Sequence, residues 1–121
     1  MTAEDDVVRR ELLFAVVGLG PAALVLIGAT DPFTAWPVGV AAALLTCLTV
    51  AAADRLPGWR VVLPLATFAV VSVGFLVFRY PLPAGVVGVA MIGLNAGWAL
   101  NRLVFGVVRP VPAPRLARES A

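Results

Sequence analysis

The sequence predicts an all-α integral membrane bundle of four transmembrane helices, antiparallel in up-down order and joined by short loops. Three observations carry this. Hydrophobic residues make up 61% of the 121 residues, charged residues only 13%, and mean hydropathy is +1.00. A soluble domain of this size has too little interior to hide that much apolar surface. The apolar residues fall into four runs, at about 12–29, 35–53, 61–78 and 82–100. Each would be about 28 Å long as a helix, close to the hydrocarbon thickness of a bilayer. Charged and turn-forming residues stand between the runs: Thr30-Asp31-Pro32, then Asp54 to Arg60 with its Pro57-Gly58, then Arg79-Tyr80-Pro81.

Residues 1–11 are polar and of mixed charge, and Thr2 with Asp5 three residues on gives a weak signal for a capped helix start. The helix can run from there into the first span. Gly18-Leu19-Gly20-Pro21 falls inside that span, and proline removes a backbone donor, so a kink is expected. At the next turn Asp31 suits an N-cap with Pro32 in the first helical position. Trp36 marks an interfacial start of the second span. The alanine triplets at 41–43 and 51–53 make that helix slim enough for close packing.

The third span ends at the very short connection Arg79-Tyr80-Pro81, which implies a tight hairpin with the fourth. The fourth span is the most informative. Val87, Met91, Leu94 and Trp98 recur at helical spacing as a bulky stripe, expected to face lipid. Gly85, Gly88, Asn95, Ala96 and Ala99 lie on the opposite half, flanked by Gly93 and Gly97, and form the expected helix-packing surface. After it, 103–108 remains apolar. The tail from Arg109 to Ala121 has proline at 110, 112 and 114. It reads as extended, disordered and dispensable for the fold.

All nine basic residues are arginine, and their distribution sets an orientation. Eight lie with the termini and the second loop, and only Arg79 lies on the other side. Positive residues stay inside, so both termini are expected in the cytoplasm and the protein in the plasma membrane, crossing it several times. Arg55, Arg60, Arg102 and Arg109 stand at the cytoplasmic boundary and are expected to contact lipid headgroups. The arginines are scattered at segment ends rather than clustered with aromatics, so nucleic acid is not an expected partner.

The residues missing from the chain exclude much chemistry. There is no histidine, which removes histidine bases and histidine metal or haem ligands, and Cys47 stands alone in an apolar run. No nucleotide-binding loop, carboxylate pair or nucleophile–base pair is legible, so no enzymatic centre, metal or cofactor is expected. Asn95 admits interhelical hydrogen bonding or a place along a pathway. Glu11, beside Arg9 and Arg10, reads as an interfacial carboxylate compensated by arginine. The expected function is that of a small structural or accessory membrane component, in the bilayer as a homo-oligomer or beside a larger complex. The alternative is a small oligomeric transporter or channel with a path lined by Asn95, Ser72, Thr46 and Thr49.

Overall fold

The computed structural model describes residues 2–56 and 83–119, together with positions 64, 68, 69, 71, 72 and 79. The expected third span, 61–78, falls largely outside the described residues, as does Arg60. All regular structure among the described residues is helical. Among the described residues, three helices are long and apolar enough to cross a membrane.

Helix α1 spans Ala3–Ile27. Its start is fixed by a capping box: Asp5 N–H donates to Thr2 Oγ1 at 3.2 Å, and Thr2 N–H donates to the Asp5 carboxylate at 3.0 Å. Glu4, Asp5 and Asp6 complement the positive end of the helix dipole. The polar N-terminal residues are therefore the first turns of the span rather than a separate segment. The helix continues unbroken through Pro21.

Asp31 turns the chain in the left-handed region, at φ 60°, a conformation that Asp tolerates better than bulkier residues. A 3₁₀ turn, Pro32–Ala35, leads into α2, Trp36–Arg55. Helix α3 spans Ala84–Leu103 and ends in a π turn, Val104–Val108, closed by Arg109 N–H donating to the Val104 carbonyl at 2.8 Å. The apolar run 103–108 thus continues the chain of α3 through a kink at Phe105, whose backbone (φ −105°, ψ 59°) is not helical. A short helix, α4, Ala113–Glu119, comes next. The tail expected to be disordered carries this helix, because its arginines find buried carboxylates that offset the entropy of ordering it.

Helix α3 packs against both α1 and α2. Along α1 the pairings Val25–Gly88, Gly18–Asn95, Glu11–Arg102 and Val8–Gly106 run in opposite chain directions. Along α2 the pairings Gly39–Gly93 and Ala43–Gly97 run in the same direction. The N-terminal part of α1 and the C-terminal ends of α2 and α3 therefore meet at one end of the bundle.

The expected packing residues divide between these contacts. Gly85, Gly88, Gly93 and Gly97 are buried. A methyl group at Gly93 would collide with the Gly39 carbonyl and the Ala42 side chain, and one at Gly97 with the backbone of Ala43. One at Gly88 would meet Leu26, and one at Gly18 would meet the Asn95 amide. Ala96 is exposed and Ala99 half-buried, so the packing arc is not the single small face expected. Two neighbours on different flanks of α3 split it, and Ile92, Ala96, Leu100 and Leu103 form an outward stripe between them. Leu94 is exposed as expected, but Trp98 is half-buried and points to the bundle interior.

The distribution of polarity is inverted relative to a water-soluble domain. Leu24, Ile27, Leu44, Leu45 and Leu48 are exposed, whereas Glu11, Asp54, Asn101, Arg102, Arg115 and Arg118 are buried. Apolar exteriors of this kind suit lipid.

Candidate functional site

The buried charges form one layer at the end where α1, α2, α3 and α4 converge. Arg102, in the last turn of α3, has no exposed surface. Its Nε donates to Glu11 Oε2 at 2.8 Å, and its Nη2 lies 2.7 Å from the same oxygen and 2.9 Å from Asp54 Oδ2. One guanidinium thereby ties α3 to α1 and to the end of α2. Trp98, one turn earlier on α3, donates its indole N–H to Glu11 Oε2 at 3.0 Å.

Helix α4 closes the layer. Arg115 donates to the other Glu11 oxygen, Oε1, through Nη2 at 2.6 Å and Nε at 3.2 Å. Its Nη1 donates to Glu119 Oε1 at 2.5 Å. Arg118 places Nη2 3.6 Å from Asp54 Oδ1 and donates from Nη1 to the carbonyls of Ala53, at 2.9 Å, and Leu56, at 3.4 Å. These carbonyls lie at the C-terminus of α2, where a helix leaves acceptors without intrahelical partners. Farther out, Arg10 donates to Glu119 Oε1 at 2.7 Å, and the Glu4 carboxylate accepts from Val111 N–H at 2.8 Å.

These contacts set the electrostatics of the layer. Hydrogen bonds from Arg10 and Arg115 lower the Glu119 carboxyl from its ordinary value to about 2. Burial alone would lower the Arg115 guanidinium, but hydrogen bonds to Glu119 and Glu11 outweigh it and leave the group raised. The arrangement grips planar, donor-rich cations: the carboxylates of Glu11 and Asp54, on two helices, accept from the guanidinium groups of Arg102 and Arg115 and lie within ion-pair distance of a third, that of Arg118.

Of the expected headgroup contacts, Arg55 and Arg109 are exposed. Arg55 also hydrogen-bonds the Ala51 carbonyl and stacks over Phe105 at 4.7 Å. Arg102 overturns its assignment. It turns inward because Glu11 and Asp54 lie at its own depth in the bundle, so ion pairing replaces lipid contact. Glu11 is compensated by arginine, but by Arg102 and Arg115 rather than by Arg9 and Arg10.

The residues considered for a pathway are differently placed. Asn95 donates to the Met91 carbonyl at 2.8 Å and lies against Gly18. Thr46 and Ser72 are half-buried, and Thr49 is exposed. Asn101 reads in the sequence only as a boundary residue. It is wholly buried, and among the described residues neither its amide nitrogen nor its oxygen has a hydrogen-bond partner.

The layer has no local motif to announce it, since Glu11, Asp54 and Arg102 are far apart in sequence. Two signals could have found it. Each of the three sits where an apolar run meets a polar end, and alternating threading brings those ends together. Arg115 and Arg118, three apart, share one face of a helix. Comparison with protein-family models, curated proteins and solved structures finds no match.

Proposed function

We propose that the chain is a multi-pass protein of the plasma membrane with both termini in the cytoplasm, and that it serves as a structural or accessory component without an enzymatic centre. The observation that carries this is how the buried polar groups are used. Glu11, Asp54, Arg102 and Trp98 bond to one another across helices, and Asn95 bonds to its own helix while packing on Gly18. Polar groups in such arrangements join helices. Eight arginines on the side of the termini support the orientation.

The alternative, a small oligomeric transporter or channel with a path along Asn95, Ser72, Thr46 and Thr49, differs in one measurable respect. Purified protein in sealed vesicles should leave proton and alkali-cation gradients intact, and should retain partner proteins when extracted in mild detergent. A flux that Asn95→Ala abolishes would replace the accessory reading with the transport one. For the threading, a reporter fused after Ala121 should read cytoplasmic and one inserted at Asp31 external, and the reverse pattern would overturn the orientation.

A further inference from the structure

We propose that Glu11, Asp54 and Arg102 form a guanidinium-binding mouth, and that helix α4 occupies it as a tethered, displaceable ligand. The spanning helices supply this mouth with two carboxylates and one arginine, an excess of negative charge at the end of an apolar bundle. Arg115 supplies the balancing cation. Its Nη2 and Nε both donate to Glu11 Oε1, and its Nε also lies 3.8 Å from Asp54 Oδ1. A planar fork of donors satisfies that set, whereas an ammonium point charge does not reproduce it.

The way α4 is held makes it displaceable. A helix of seven residues is not stable alone in water, so its order derives from docking. Val111 is the only buried apolar side chain of the tail among the described residues, Leu116 is half-buried, and the buried side chains of α4 itself are Arg115 and Arg118. Pro110 and Pro112 precede the helix as an extended arm. An open groove of about 830 Å³ lies along the first turns of α1, lined by Ala3, Asp6, Arg9, Arg10 and Leu13, and reaches α4 at its last residue, Glu119. The ligand class is a guanidinium group, supplied by a small alkylguanidinium or by a protein segment carrying the Arg-x-x-Arg spacing of Arg115 and Arg118. The tether sets a local concentration in the millimolar range, so a free ligand competes only above it. The inference stands independently of the accessory role proposed above.

Chemical rescue of the full chain in detergent tests it. Arg115→Ala empties the position under Glu11 while Arg118 keeps α4 in place. Ethylguanidinium at about ten times its Kd should raise the Tm of this variant by roughly 3–6 °C. Ethylammonium and sodium chloride at the same concentration should not, and Glu11→Gln combined with Arg115→Ala should abolish the response. Equal responses to both organic cations would overturn the proposal. A peptide of residues 112–119 distinguishes the sources. Rescue by the peptide points to a partner segment and rescue by ethylguanidinium alone to a small cation, while failure of both sinks the site. Should Arg115→Ala not fold, amide exchange of the wild-type chain decides. Exchange at 113–119 should accelerate with ethylguanidinium and not with ethylammonium, and unchanged exchange above the tether's effective concentration would refute displacement.

Discussion

Arg102 shows how much one side chain can carry when it is removed from both water and lipid. It is fully buried and meets carboxylates from two other helices. Breaking a buried pair from one side leaves the other charge uncompensated, at about 3–5 kcal/mol. Arg102→Met should therefore cost that much in thermal or denaturant unfolding in detergent. Adding Glu11→Gln should return part of the loss, and a double variant as unstable as the sum of the singles would show that the two do not interact. Asn101, its neighbour, offers the opposite case. An unsatisfied buried polar group costs about 1–3 kcal/mol, so Asn101→Leu should raise the Tm. A fall would mean that the amide holds an ordered water. Glu119 ties α4 to α1 through Arg10, and its carboxyl is lowered to about 2. A depressed carboxyl stabilises the fold above its unfolded value of about 4.5, and that contribution is lost as pH falls towards 2. Glu119→Gln should thus lower the Tm at pH 7 by a small margin, since the group is partly exposed, and the difference should vanish near pH 2. A difference that persists there would place the effect elsewhere.

At the scale of the helices, the small residues of α3 do different work depending on what faces them. Gly93 and Gly97 allow the α2 backbone to approach within contact of α3, and any side chain at either position meets that backbone. Gly93→Leu should destabilise by at least the 1–3 kcal/mol typical of overpacking, since a backbone cannot move aside as a side chain does. Gly20 in α1 has open space around it, so Gly20→Ala should stabilise through helix propensity by about 0.5–1 kcal/mol. Parallel unfolding measurements of the two variants check the contrast, and equal effects would refute the packing description. Much at this scale was legible in the sequence. The helix cap at Thr2, the boundaries of α2 and the buried glycines of α3 arise from local pattern and periodicity. The division of the α3 surface was not legible, because periodicity marks a face but does not say how many helices share it. The inward turn of Trp98 was hidden for a related reason. An aromatic near a helix end suits a headgroup boundary equally well, and only the position of Glu11 on α1 decides between them.

At the scale of the whole molecule, the least legible feature was the role of the tail. Its alternating prolines indicate an extended chain, and residues 110–112 before α4 accord with that. Residues 113–119 are helical because the charge balance of the bundle reaches beyond the spans. Without α4, Glu11 and Asp54 share a single guanidinium, and the Ala53 and Leu56 carbonyls at the end of α2 lose their donor in Arg118. Insertion and packing should respond differently to removing it. Insertion depends on apolar length and arginine distribution, which deletion of residues 110–121 leaves largely intact. Packing at the polar end depends on compensating two buried carboxylates, which the deletion removes by taking Arg115 and Arg118 away. The truncated chain should therefore reach the membrane at near-normal levels yet unfold at a distinctly lower temperature in detergent. Because part of its loss is uncompensated negative charge, Asp54→Asn in the truncated chain should recover some stability, while the same substitution in the full chain should reduce it. A truncated chain as stable as the full one, or an Asp54→Asn effect of the same sign in both, would mean that α4 rests on the bundle without neutralising it.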